Sequence, residues 1–108
     1  MTKEQLFDRV VRDRIGMAIE KTGYSFFGLL KALDEEKGGA VAVARRFISP
    51  DWRQTFQDGL RELKAANLLQ LSVEQTIIDF HERGYLFTAA EAELASERLR
   101  LVKLLMDC

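Results

Sequence analysis

An all-α fold is predicted by three features of this sequence. Apolar residues recur at three- and four-residue spacing, capping signals stand at the breaks in that pattern, and no run of alternating β-branched residues interrupts it. The one proline, Pro50, and the lack of a low-complexity linker place the 108 residues in a single domain, 1–108. A chain of that length buries a core without disulfides or a structural metal. The expected architecture is a compact irregular bundle of five to six short helices.

The first helix opens at Thr2, with Gln5 at the spacing of a capping box. Leu6, Phe7, Val10, Val11, Ile15 and Ala18 follow at helical intervals, and Gly23 suits the left-handed position that closes a helix. Ser25 is the expected cap of a second helix that buries Phe26, Leu29, Leu30 and Leu33 and stops at Gly38-Gly39. A short third helix over residues 40–48 rests on Val41, Ala44, Phe47 and Ile48. Ser49-Pro50 reads as N-cap and first helical position of a fourth, since proline lacks an N–H that would go unused there. Trp52, Phe56, Leu60, Leu63 and Ala66 line its face, and Asn67, which tolerates left-handed backbone, ends it. Ser72 with Gln75 repeats the capping-box spacing for a fifth helix through Val73, Ile77 and Phe80, closed by Gly84. Thr88 with Glu91 starts the last, whose main face is Ala92, Ala95, Leu99, Val102 and Met106.

Composition narrows the function classes. Sixteen basic and seventeen acidic side chains leave a net charge of −1, so nothing draws the whole chain to nucleic acid or anionic lipid. Such binding would need a local patch. Cys108, the single cysteine, forms no internal disulfide and suits a reducing compartment. No apolar h-region follows Met1, and no apolar run approaches the roughly 20 residues of a membrane span. The expectation is a soluble, cytoplasmic protein with no membrane partner, no cofactor and no metal.

The chemistry-bearing residues do not assemble into a known motif. His81 is the only histidine and falls in the last turn of the fifth helix, where the dipole favours a cation; a boundary histidine is the simpler reading. Asp34-Glu35-Glu36 puts acids at the end of a helix that disfavours them, as a cation site or a solvated run would, but no calcium-loop pattern follows. Glu74, Gln75, Asp79 and Glu82 are expected to point outward from the fifth helix, which disqualifies it as a DNA-reading helix because carboxylates repel phosphate. Arg14 falls within the apolar face of the first helix. It can snorkel, pair with a carboxylate or meet a ligand anion, and the sequence leaves all three open.

Two surfaces stand out. Arg45, Arg46 and Arg53, beside the Gly38-Gly39 corner, form a basic cluster that could take an anion or nucleic acid, although the glycine spacing fits neither a P-loop nor a dinucleotide motif. The last helix carries Leu94, Leu101 and Leu105 on a face adjoining its main one, and Leu104 outside both. That arc is wider than the ~100° stripe of an ordinary surface helix. It implies either a central helix with several neighbours or a surface for self-association.

Leu-Ser-Val-Glu at 71–74 and Leu-Phe-Thr at 86–88 before Glu91 and Leu99, with Gly39, Ala44-Arg45-Arg46, Phe56 through Leu60 and Leu68 to Leu71, resemble a small helical module of uncharacterised bacterial proteins. The likeness covers Gly38 to Arg100. It implies a bacterial domain with no established activity, found alone or at the end of a longer chain, and it carries over no functional residue. Together these readings predict a non-catalytic protein–protein interaction domain, a homodimer through Leu94, Leu101, Leu104 and Leu105. The alternative is an anion or nucleic-acid binding module built on Arg45, Arg46 and Arg53.

Overall fold

The computed structural model describes residues 1–35, 38–49 and 57–106. Among them are α1 (Lys3–Thr22), α2 (Phe27–Glu35), α3 (Gly39–Phe47), α4 (Gln57–Ala65), α5 (Val73–Glu82) and α6 (Ala89–Met106), with a 3-10 turn at Leu69–Leu71 before α5 and no strand. The all-α bundle predicted from the sequence is the fold. None of its described helices is long and apolar enough to cross a membrane. Glu36, Lys37, Pro50, Trp52, Arg53, Phe56 and Cys108 lie outside the described residues, as do the side chains of Leu105 and Met106. Of the expected start of the fourth helix, Ser49 is described and Pro50 lies outside.

Most caps stand where the sequence puts them. The Thr2–Gln5 and Thr88–Glu91 boxes are both reciprocal, each hydroxyl accepting from the backbone three residues on while that residue's side chain accepts from the cap N–H. Gly84, at φ 76°, closes α5 by a Schellman pattern: its N–H donates to the His81 carbonyl and that of Tyr85 to Phe80. Asn67, at φ 59°, closes α4 in the same way, with Leu68 N–H reaching back to Leu63.

Two caps depart from expectation. α2 begins one residue later than Ser25 would allow. The Phe26 carbonyl accepts its first helical bond, from Leu30 N–H, so Phe26 is the N-cap, at a left-handed φ of 49°. Burial of the Phe26 ring, edge-on to Tyr24 at 4.9 Å between centroids, holds that residue in place where a polar cap was expected. At α5, Ser72 Oγ accepts from Gln75 N–H, but Gln75 turns its amide to Asp79 rather than back to the cap. Only half of that capping box forms.

α5 is the central element: it packs against α1, α3, α6 and the 3-10 turn. Phe7 of α1 is fully buried and meets Phe80 of α5 and Phe87 of the following loop, both edge-on at 5.0 Å between centroids. Val11, Ile15 and Ala18 extend that face toward Val43, Ala44 and Phe47 of α3. The corner before α3 needs glycine twice. Gly39 has φ 70°, and a Cβ on Gly38 would stand 2.6 Å from that of Ala42.

Candidate functional site

α6 packs on α5 and, more narrowly, on α4. Its main face is buried as expected: Ala92, Ala95, Leu99 and Val102 point inward, with Leu60 of α4 against Leu99 and Val102. The expectation of a central helix touched on several sides passes to α5. On the outer face of α6, Leu94 is 46% exposed, Leu101 38% and Leu104 59%. The other large exposed apolar side chains among the described residues, Met1, Met17 and Phe27, lie before α1, on α1 and on α2, whereas these leucines share one helix.

The same helix buries a charge. Arg98 Nε donates to Glu74 Oε2 at 2.8 Å, and the two side chains are only 7% and 3% exposed. Glu74, expected to point outward from α5, is instead the inward half of this ion pair. A carboxylate is held that deep only when a cation comes with it. Arg98 Nη2 is buried without a hydrogen-bond partner among the described residues. The sequence did hold a signal for Arg98: on the wheel it falls between the Leu94–Leu101 stripe and Val102, an arginine inside an apolar arc.

Other candidates have resolved partners. Arg14 pairs with a carboxylate, the second of its three readings: Nη1 lies 2.9 Å from Asp79 Oδ2 and donates to Thr76 Oγ1 at 3.0 Å, tying α1 to α5. His81 Nδ1 lies 3.0 Å from the Phe87 carbonyl, and since a carbonyl only accepts, that nitrogen carries the proton. The ring thereby fixes the loop that inserts Phe87 into the core. Asp34 accepts from Arg12 Nη1, and Arg12 Nη2 donates to the Leu33 carbonyl, so α1 supplies the cation that an acidic helix end lacks. Burial opposes the charge on Arg12, but hydrogen bonds to Asp34 and Asp8 outweigh it and raise its pKa.

The basic cluster is only partly placed, because Arg53 lies outside the described residues. Arg46 is exposed on α3. Arg45 is occupied within the fold: Nε donates to Glu91 Oε2 at 2.8 Å, Nη2 donates to the Leu86 carbonyl at 3.1 Å, and the guanidinium lies 5.5 Å from the Phe87 ring centroid. Leu86 itself has a left-handed φ of 67°, a strained geometry for leucine, and its carbonyl is the one that Arg45 Nη2 holds. Burial opposes ionisation of Glu91, but the Thr88 N–H and the Arg45 guanidinium outweigh it and hold the carboxyl below its usual range. The cleft at Gly38-Gly39 is lined by Glu4 and Asp8 of α1, so an anion at the start of α3 would face two carboxylates.

A cavity of about 80 Å³ opens between α2, α4 and α5, lined by Tyr24, Phe26, Leu29, Leu60, Leu63 and Glu74 among others. It has room for two or three waters at ~30 Å³ each. Neither Arg14 nor His81 is among its lining residues. No group of three or more His, Cys, Asp or Glu among the described residues could hold a metal.

No protein-family model, curated protein or solved structure matches the chain.

Proposed function

We propose that this chain is a non-catalytic, bacterial protein–protein interaction domain of the cytoplasm that self-associates through the outer face of α6. One observation carries the reading: Leu94, Leu101 and Leu104 stand between 38% and 59% exposed along a single helix whose inner face is fully packed. A small domain has other ways to place leucine, and an exposed apolar stripe of this kind marks a contact surface. The residues that suggested chemistry in the sequence support the same reading, since His81, Arg14 and Arg45 each serve the fold.

Each leucine contributes roughly 1.5–3 kcal/mol when fully buried, before the entropy of association is subtracted. A two-fold dimer counts every such residue twice. The test is light scattering of the wild type and of Leu101→Glu. The wild type is expected to be dimeric and the variant monomeric, with helicity and melting temperature retained. A wild type that stays monomeric at high concentration defeats the proposal, and so does a variant that unfolds.

A further inference from the structure

The outer face of α6 is flanked by charges whose order along the helix selects the orientation of a partner. Leu94 and Leu101 lie seven positions apart, two helical turns, and so share one line on the surface. Beside that line, on the flank that also carries Leu104, stand Glu93 and Glu97 toward the N-terminus and Arg100 toward the C-terminus. All three are exposed, and Glu97 pairs with Arg100 within the chain.

Resting on the proposed self-association, we infer that α6 packs antiparallel against α6 of a second copy, with Leu94 of each chain over Leu101 of the other. In an antiparallel two-fold pair, a flank of one helix meets the same flank of its mate in reverse order. In that register the two Glu97 side chains flank the axis, and each lies within one helical turn of Arg100 of the other chain, so two ion pairs become a four-charge network. The helix dipoles also oppose. A parallel pair turns the Glu97 flank toward the side of the mate where Arg98 and Val102 are buried, so Glu97 and Arg100 find no exposed charge across it. Exposed ion pairs add little affinity, but they do set orientation.

Cysteine pairing reads the orientation directly. In a Cys108→Ser background, chains carrying Leu94→Cys or Leu101→Cys are oxidised separately and as an equimolar mixture, one chain bearing a size tag. The antiparallel arrangement gives the mixed disulfide in the mixture and little cross-linking of either chain by itself, since only residues within a few ångströms can be bridged. Circular dichroism checks that both variants keep their helices. Disulfides within each separate chain, with a dimeric scattering mass, mean a parallel pair and overturn the inference while leaving self-association intact. A dimeric mass with no disulfide in any mixture places the interface elsewhere and overturns both. A monomeric wild type removes the proposed function on which the inference rests. As an independent check, Glu97→Arg and Arg100→Glu should each weaken self-association several-fold, and mixing the two variants should restore it.

Discussion

The two faces of α6 reverse the usual distribution of polarity. Its inner side buries Arg98 against Glu74 of α5, while its outer side leaves Leu94, Leu101 and Leu104 38–59% exposed. On the inner side the cost of desolvating a guanidinium is offset by a carboxylate at 2.8 Å, brought there by the packing of α5 on α6. On the outer side the same helix leaves apolar side chains partly exposed. The comparison teaches that burial follows the neighbour and not the residue type.

The largest expected effect lies on the inner face. Arg98→Met leaves the Glu74 carboxyl buried without its cation, and should destabilise the monomer by about 3–5 kcal/mol. Adding Glu74→Leu removes the orphaned charge, so the double variant should recover most of that loss and can exceed the wild type. Chemical denaturation of the single and double variants checks this. Equal, additive losses would show that the pair is not coupled and that packing volume alone is at stake.

The outer face should respond in the opposite way. Leu101→Glu should leave the unfolding midpoint of the monomer within about 0.5 kcal/mol of the wild type, as substitutions at exposed positions do. Its effect belongs to association. Sedimentation or scattering over a concentration series separates the two, because a monomer-stability loss is independent of concentration and a dimer loss is not.

These faces were not equally legible in the sequence. Helix boundaries were, because caps are local: Thr2, Asn67, Gly84 and Thr88 act on backbone groups within a few residues of themselves. The exposed stripe was legible as an arc too wide for one contact. The direction of Glu74 was not, since the residue that decides it stands 24 positions away. The partners of Arg45 were hidden for the same reason. Beside Arg46 it read as part of a cluster, and only the folded chain brings Glu91 and the Leu86 carbonyl, 46 and 41 positions distant, onto its guanidinium. The Phe26 cap failed locally, where burial of an aromatic ring outweighed the hydrogen bond that Ser25 offers.

Between the two faces lies the start of α6, which both depend on. Thr88→Ala removes the oxygen that accepts from Glu91 N–H and should destabilise by about 1 kcal/mol, read as a lower urea midpoint at unchanged slope. An unchanged midpoint would mean that the cap does not fix where the helix begins.

The smallest effect sharpens the comparison by asking whether an ion pair near the surface behaves like the buried one. Glu91 bonds to Arg45, whose side chain is 49% exposed, so solvent screening limits the pair to about 0.2–1 kcal/mol. Burial opposes the charge on Glu91, yet the Thr88 N–H and Arg45 outweigh it and lower the folded pKa. A carboxyl with a depressed folded pKa binds fewer protons folded than unfolded between the two values, so stability rises with pH across that interval. The contribution is therefore fully present above the unfolded glutamate value of about 4.3 and is lost as pH falls through the lower folded value. Glu91→Gln should melt slightly below the wild type at pH 7, and the gap should close as the pH is lowered from about 4.3 and narrow in high salt. Glutamine still accepts from the Thr88 N–H, so a gap that persists undiminished in strong acid would assign the effect to local packing and not to the charge that Glu91 presents to Arg45.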